Sequence, residues 1–541
     1  MRSRLARIPA EVLQRLALGG AALAALLVVG AAALGPSAAQ PALGARGDTW
    51  RGLLPPYDLG LHPASWLVTV TVDAGYLVGA VSVALGLLAV RRGARLPRRA
   101  LLVAVAVALL AALVPPSGSG DHLNYAAYGR IQAQGGDPYV VAPAQWDGGR
   151  DPITSAVEDP WTRTPSIYGP VATQLQAITS RFGGDDLRVT VWAWQLLCLA
   201  AWLGVGLLLH RTSGRRLAGD DADATDADDA AAAMVAADQA RDRAAWLWLL
   251  NTVLLGVLLV GAHVDLLGAA LALLAVLLTA RRPLLAGAAL GAAVGIKVTF
   301  ALIGPALVWA LWRRSRRTSG PWWPGALAGV AGTAAVVVPF FALAGPHSLD
   351  QVRGARRYVS LGTPWRPVVD AVTGPFSHAG VRTVVAIAAP IALLVLVALL
   401  AQALRGSAAL APSAHARGDD DVVTTREAAL ASVVIATAYL LAAPYSLPWY
   451  DALAWAPLGL VASGLLDAVL LVRLAALSIA YVPGRVLGMS ERVRDVTLGY
   501  RTNVAPWVGW ALLVAIGWLA ARSWRRSRPV RAPARSRTQV E

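Results

Sequence analysis

The densest group of side chains that could take part in chemistry lies in one short segment. It covers residues 120–128 (GDHLNYAAY) and follows an apolar run that ends near residue 114. Its polar and aromatic positions are spaced i, i+3, i+4 and i+7, so a helix puts them on one face: Asp121, Asn124, Tyr125 and Tyr128. A carboxylate in such a group can accept a proton from a reacting hydroxyl. The alternative is that Asp121 only caps the helix.

Further polar residues interrupt the apolar runs downstream. His263 and Asp265 lie in a turn between two such runs, Lys297 lies where two runs meet, and Tyr450 ends a PWY turn. Ionisable groups at a membrane edge are costly, so they are candidates for function. Lys297 is also the only lysine among 48 basic residues, which favours a need for a compact point charge. The simpler alternatives are a water-exposed polar turn and a lysine that extends to the interface.

The composition predicts that these residues belong to a membrane protein. Of the 541 residues, 56% are hydrophobic and only 15% are charged, and the mean hydropathy is +0.55. Soluble domains contain about 25% charged residues. Apolar runs long enough to cross a hydrocarbon core of about 30 Å recur along the chain. We therefore expect an all-α protein that crosses the bilayer many times.

We predict about fourteen transmembrane helices, with a range of about twelve to fourteen, within a transmembrane domain at residues 17–522. The predicted spans are 17–35, 65–90, 100–114, 189–209, 244–260, 266–280, 283–296, 299–312, 325–343, 380–404, 429–443, 452–464, 466–481 and 507–522. Arginine-rich short segments then put both termini in the cytoplasm of a plasma-membrane protein. The first span is taken as an anchor, although the residues after it (PSAA, 36–39) also fit a signal-peptide cleavage site. Asp467 and Arg473 suggest that the helix at 466–481 starts later than drawn.

The segments between the predicted spans are of two kinds. Residues 210–243 are acidic and alanine-rich and predict a disordered cytoplasmic loop, between a cytoplasmic N-terminus at 1–16 and a basic cytoplasmic tail at 523–541. The external loops at 115–188, 344–379 and 482–506 instead mix aromatic, proline and charged residues. The longest of them, 115–188, is expected to be structured. The function is therefore expected on the external face.

Several classes of function are disfavoured by the same sequence. The net charge of +16 is attributed to topology and to anionic lipid headgroups of the bilayer, and no nucleic-acid partner is expected. The single cysteine, Cys198, allows neither an intramolecular disulfide nor a cysteine-based metal site, and no histidine pair has metal-ligand spacing. No glycine-rich phosphate loop follows a predicted strand. We therefore expect no metal and no other cofactor.

The order of the motifs resembles that of a known enzyme family. The longest external loop contains DHLNY (121–125), DPY (137–139) and YGP (168–170), and GAHVD (261–265), GIK (295–297) and PWY (448–450) follow. This order resembles the bacterial polyprenyl-phosphomannose-dependent mannosyltransferases of the GT-C superfamily, which assemble actinobacterial lipomannan-type glycans. His122, Ala262, Val264 and the acidic insert depart from the family pattern.

The resemblance implies a GT-C-like fold and a hexosyltransferase. Such an enzyme moves mannose from a polyprenyl-phosphate donor to a glycan or glycolipid acceptor, in an α-1,6 linkage, at the external face. Inversion in one step needs a carboxylate base, which we predict to be Asp121. The predicted substrate-binding residues are Tyr125, His263, Asp265, Lys297, Arg356, Arg357 and Tyr450. The cations among them would bind the donor phosphate without a metal, and aromatic residues of the 115–188 loop would bind the acceptor.

Two other interpretations remain open. A transporter or flippase of lipid-linked sugar also combines many spans with a few buried charges, although we find no clear internal repeat of the transporter kind. A GT-C enzyme that uses another lipid-linked sugar, such as arabinofuranose, would differ in only a few contacts to hydroxyl groups.

The topology gives a first testable prediction. Asp121, His263, Lys297 and Tyr450 should lie outside the cell, and the acidic tract 220–229 in the cytoplasm. In a Cys198→Ala background, single cysteines at positions 121 and 225 should react with a membrane-impermeant thiol reagent from opposite sides of the membrane. Labelling of both positions from the same side would contradict this topology.

Overall fold

A computed structural model describes residues 8–46, 50–214, 227–355, 358–373, 378–405, 420–462, 464–485 and 487–526. Within these ranges the regular structure is helical, and no β-strand is present. The predicted all-α class is therefore confirmed. The predicted site residues Arg356 and Arg357 lie outside the described residues.

The longer helices of the described chain are numbered in order. They are α1 Ala10–Leu34, α2 Ser65–Arg91, α3 Arg98–Ala111, α4 Asp121–Ala133, α5 Pro170–Gly183, α6 Leu187–Ser213, α7 Ala227–Leu247, α8 Asp265–Leu278, α9 Pro283–Ile296, α10 Gly304–Thr318, α11 Trp323–Ala344, α12 His378–Ala403, α13 Asp420–Ala442, α14 Gly464–Ala480, α15 Glu491–Asn503 and α16 Ala505–Arg526. Shorter helices are Thr252–Leu254, Asp350–Ala355, Trp365–Val372 and Ala452–Leu458.

Every predicted span coincides with helical residues, and the polytopic class is confirmed. Eight helical stretches in the described chain are long and apolar enough to cross a membrane. Helices α8 and α9 have 14 residues each, so they are shorter than a full crossing. The number of about fourteen spans therefore stays a prediction.

Two predicted spans differ in the structure. The helix in the predicted span 452–464 has only seven residues, Ala452–Leu458, and is too short to cross the bilayer. It contains Pro457, and Gly459 follows it, so the helix ends early. The predicted span 244–260 is broken after Leu247, continues as Thr252–Leu254 and finishes as a π-helix at Leu255–Val260.

The expected disorder of residues 210–243 is wrong at both ends of the loop. Helix α6 continues to Ser213 and α7 begins at Ala227, while residues 215–226 lie outside the described residues. Alanine is the strongest helix former, so the alanine-rich part favours a helix despite its acidic residues. Asp242 also accepts a hydrogen bond from the Arg95 guanidinium at 3.2 Å, which offsets the repulsion between like charges.

The remaining loops also contain helices. The 115–188 loop contains α4 and α5, the 482–506 loop contains α15, and the 344–379 loop contains Asp350–Ala355 and Trp365–Val372. Helix α16 continues into the expected tail as far as Arg526, and α1 begins at Ala10, before the predicted first span.

Helix α14 contains two buried charges, each of which has a partner. Asp467 pairs with Arg91 at 3.1 Å and with Arg243. Arg473 pairs with Asp451 and donates to the carbonyl oxygen of Leu440 at 3.2 Å. Both charges therefore fit inside the helix, and the expectation that the helix starts later is wrong, because it begins at Gly464.

Candidate active site

The predicted site residues that the structure describes come together from separate parts of the chain. The Asp121 Oδ2 and His263 Nδ1 atoms are 3.5 Å apart. The Lys297 Nζ donates to Asp265 Oδ1 at 2.7 Å and lies 3.5 Å from the centroid of the Tyr450 ring. We call these five residues the polar cluster.

Asp121 is the first residue of α4, not its cap. The N-cap position is Gly120, and the Asp121 backbone N–H donates to Ser119 Oγ at 3.0 Å. None of the hydrogen bonds within the described chain ends on the Asp121 carboxylate, whose side chain is 17% exposed. The alternative of a helix cap is therefore wrong, and the carboxylate is free to meet a ligand.

The turn that carries His263 and Asp265 is buried and held from several sides. Ala262 has a left-handed backbone with φ of 50°, a strained conformation for a residue with a side chain. The Trp194 indole N–H donates to the Ala262 carbonyl oxygen at 2.9 Å, and the Val264 N–H donates to the Tyr125 hydroxyl at 3.4 Å. His263 is only 1% exposed. The alternative of a water-exposed turn is therefore wrong.

Two polar atoms of this turn form no hydrogen bond with any described residue. They are His263 Nδ1, which has the Asp121 carboxylate 3.5 Å away, and Asp265 Oδ2, and both are buried. An unsatisfied buried polar atom costs about 1–3 kcal/mol. Together with the free Asp121 carboxylate, they provide acceptors and a ring nitrogen for the hydroxyl groups of a ligand.

Lys297 directly follows α9 and is held beside the YGP motif. The Gly169 N–H donates to the Ile296 carbonyl oxygen at 3.0 Å, and a Cβ on Gly169 would lie 2.3 Å from the Gly295 carbonyl oxygen. Only glycine allows this approach. The Lys297 side chain is 13% exposed and paired with Asp265, so the alternative of a lysine that extends to the interface is wrong.

Aromatic rings surround the polar cluster. The His263 ring stacks on Trp449 with centroids 3.9 Å apart. The Tyr125 ring is buried against Tyr168 and Trp194, at centroid distances of 5.0 and 5.1 Å. Its hydroxyl accepts the hydrogen bond from the turn, so Tyr125 supports the turn that carries His263.

Several residues of this aromatic shell are not among the predicted site residues. Tyr168 and Trp449 lie within the YGP and PWY motifs, and the motifs could have identified them. Tyr445, whose ring centroid is 6.4 Å from that of Tyr450, and Tyr481, 6.2 Å from Trp449, lie in no motif and were found only in the structure.

A partly buried ion pair holds the segment before α4 from outside the predicted site. The Arg485 Nε donates to Glu158 Oε2 at 2.7 Å, and its Nη1 donates to the Ser37 carbonyl oxygen. Next to it, Gly484 has φ of 104°, and a Cβ there would lie 1.9 Å from the Gly118 carbonyl oxygen. Three distant loops thus meet just before Asp121. No sequence motif identified this contact.

His122 follows Asp121 and is fully enclosed. Burial lowers its pKa to about 3, with a smaller contribution in the same direction from Arg485. The ring is therefore neutral at physiological pH and adds no positive charge beside Asp121.

Among the described residues, no three His, Cys, Asp or Glu side chains are grouped so that they could hold a metal ion. The expectation that no metal is needed stays a prediction.

The comparison with protein families agrees with the motifs. The model of the alpha-(1->6)-mannopyranosyltransferase N-terminal domain matches residues 17–225. This part of the chain is similar to that family. It contains Asp121, Tyr125 and the YGP motif, and the resemblance predicted from the sequence is confirmed.

Two curated relatives match shorter segments. An alpha-(1->6)-mannopyranosyltransferase of Mycobacterium tuberculosis is 32% identical over 100 residues, which cover 18% of this chain and 16% of the relative. Alpha-(1->6)-mannopyranosyltransferase B of Corynebacterium glutamicum is 31% identical over 94 residues, 17% of this chain and 16% of the relative. The matches thus span about one sixth of each relative's length. They support the prediction of a glycosyltransferase. No solved structure matches the chain.

The buried pair behind the PWY turn gives a testable prediction. In Arg473→Met the buried Asp451 loses its partner, and we expect a loss of about 3–5 kcal/mol in the free energy of unfolding. The double variant Arg473→Met/Asp451→Asn should lose less than this single variant, because it leaves no unpaired charge. Thermal unfolding in detergent, followed by tryptophan fluorescence, measures both. Arg150→Met is the control, since Arg150 is exposed. A double variant less stable than Arg473→Met would contradict the pairing.

Proposed function

We propose that the chain is an integral-membrane mannosyltransferase. It transfers a mannosyl group from a polyprenyl-phosphate donor to a hydroxyl group of a glycan or glycolipid acceptor, in an α-1,6 linkage, at the external face of the plasma membrane. The observation that carries this proposal is the polar cluster, in which buried polar atoms without a hydrogen bond lie beside a partly exposed carboxylate and a lysine. The family match and the names of both relatives support mannose and the linkage.

The surroundings of the polar cluster favour a lipid-linked donor. Lys297 directly follows the apolar helix α9, and Asp265 begins the apolar helix α8, so both charges lie at the ends of apolar helices. A polyprenyl phosphate likewise combines an apolar tail, which lies in the bilayer, with a charged phosphate, which lies at the edge of the bilayer. The Lys297 ammonium has three N–H donors, of which one binds Asp265, so it keeps capacity for a phosphate oxygen.

The proposed reaction is a single displacement at the anomeric carbon. An acceptor hydroxyl attacks C1 of the mannosyl group on the side opposite the phosphate. The new C1–O bond forms while the bond from C1 to the phosphate oxygen breaks, and its electron pair leaves with the phosphate. The hydroxyl proton passes to the Asp121 carboxylate. A β-linked donor then gives an α-linked product.

The other residues of the polar cluster bind and orient the substrates. His263 Nδ1 and Asp265 Oδ2 bind sugar hydroxyl groups, and Lys297 stabilises the negative charge of the leaving phosphate. The Tyr450 ring lies against the Lys297 ammonium, and the Tyr125 hydroxyl accepts a hydrogen bond from the backbone of the turn that carries His263. Both tyrosines therefore act as positioning residues. Arg356 and Arg357 remain the sequence-based choice for further phosphate contacts.

The proposal is tested with purified protein in proteoliposomes, radiolabelled polyprenyl-phosphate mannose and a short α-mannoside acceptor. Mannoside extension is expected. Movement of the lipid-linked sugar across the membrane without extension would instead indicate a transporter, and stronger competition by another lipid-linked sugar would indicate a different donor.

In this assay, Asp121→Asn tests the catalytic base. The substitution keeps size and hydrogen-bonding capacity and removes only the ability to accept a proton. Transfer should fall by roughly 10²–10⁴-fold, with donor binding largely kept. Asp121→Glu should be at most partly active, because the longer side chain misplaces the carboxylate. Asp147→Asn is the matched control, since Asp147 is an exposed carboxylate of the same loop. Ordinary transfer by a folded Asp121→Asn protein would reject this assignment and direct attention to Asp265.

Lys297→Met tests the phosphate contact. We expect the KM for the donor to rise by roughly tenfold or more, the usual effect of losing a charge-assisted hydrogen bond, while the KM for the acceptor changes little. Because Asp265 loses its partner, Lys297→Met/Asp265→Asn should be measured beside it, and folding is checked by gel filtration. An unchanged donor KM in both variants would exclude Lys297 from the phosphate site.

A further inference from the structure

An apolar cavity of about 220 Å³ lies between α1, α3 and the segment 249–255. Two features of the sequence leave this space open. Alanines face it from α1 and α3, and the helix that would otherwise fill it is broken between Leu247 and Thr252. Its walls include Ala21, Ala25, Ala100, Ala104, Leu250 and Leu255.

The cavity is separate from the polar cluster. It extends along α3 as far as Val107 and has Pro97 and Arg99 at one end. Asp121 follows the other end of α3, a helix of 14 residues. Such a helix is about 21 Å long, so the cavity approaches the membrane face opposite the polar cluster.

We propose that the cavity binds one acyl chain of an anionic glycerophospholipid, with its headgroup at Arg98 and Arg99. Apart from Thr252 and Arg99 the walls are apolar, so the cavity favours a hydrocarbon chain over water, and an empty cavity forfeits packing contacts. The cavity includes the exposed residues Ala22 and Val103, so a hydrocarbon chain can enter sideways from the bilayer.

The charges at the end of the cavity select the headgroup. The basic segment 91–99 contains several arginines with protein partners: Arg91 pairs with Asp467, and Arg95 with Asp242. Arg98 and Arg99 are exposed, and no ion pair joins either of them to another described residue. Arg99 lines the end of the apolar cavity and Arg98 precedes it in the chain, so this end matches a lipid that has a negative headgroup.

The position of the cavity gives the bound lipid a structural role. The segment 249–255 continues through the π-helix Leu255–Val260 into the turn that carries His263. An acyl chain beside Leu250 and Leu255 therefore supports the helix that leads to this turn. The lipid is not the proposed sugar donor, whose phosphate would bind on the opposite face at Lys297.

The test measures lipid retention and does not depend on sugar transfer. The protein is exchanged into vesicles with equal amounts of phosphatidylglycerol and phosphatidylcholine, extracted, and examined by native mass spectrometry. Wild type should retain one phosphatidylglycerol. The double variant Arg98→Gln/Arg99→Gln should reduce this retention by about tenfold or more, because each arginine near the membrane surface contributes roughly 1 kcal/mol. The control is Arg316→Gln, which changes an exposed arginine of α10 and should leave the retention unchanged.

A second variant tests the cavity itself. Ala22→Phe places a ring at its exposed side, leaves both arginines in place and should reduce retention as strongly. Ala22→Leu is the smaller substitution if the phenylalanine variant does not fold. Equal retention of phosphatidylcholine and phosphatidylglycerol by wild type, or unchanged retention in the arginine pair variant, would overturn the proposal. Displacement of the phospholipid by polyprenyl phosphate at equal concentration would assign the cavity to that lipid instead.

Discussion

The cost of a buried charge is the constraint on which the structure depends. A bilayer core provides no water to hydrate a carboxylate or a guanidinium, so each such group needs a partner within the protein. Asp467 and Arg473 in α14 meet this need with Arg243 and Asp451. Their ion pairs connect α14 to α7 and to the PWY turn, so residues that are distant in the sequence are held in register by charge.

The polar cluster contains buried polar atoms without a hydrogen bond. Lys297 and Asp265 form an ion pair, but Asp265 Oδ2 and His263 Nδ1 form no hydrogen bond within the described chain. A buried pair that serves stability alone would gain by complete hydrogen bonding. The incomplete set lies beside the partly exposed Asp121 carboxylate and is enclosed by Trp449 and the tyrosines, so it is a candidate place for a ligand.

The sequence predicted the members of the polar cluster because each interrupts an apolar run with a polar group. Their order in the chain then led to the family resemblance. The sequence could not predict how they meet, because the contact between Gly169 and Gly295 and the stacking of His263 on Trp449 depend on tertiary packing. Arg485 was missed for the same reason, since its partner Glu158 is 327 residues away and neither lies in a motif.

The helices, like the site, could be predicted from the sequence only in part. Apolar runs identified the helices, but hydrophobicity alone could not show that Pro457 keeps Ala452–Leu458 short or that the segment after Leu247 is broken. The charge of the acidic loop predicts disorder, whereas alanine propensity and the pairing of Asp242 with Arg95 favour the helix at its end.

The partial exposure of Asp121 has a consequence for repeated turnover. In the proposed reaction each cycle leaves one proton on this carboxylate, and the next acceptor needs it ionised again. His263 and Asp265 are almost fully buried, while 17% of the Asp121 side chain is exposed. The exposed part of the Asp121 carboxylate can therefore meet the acceptor hydroxyl and can also release the proton to water. This release ionises Asp121 again for the next cycle.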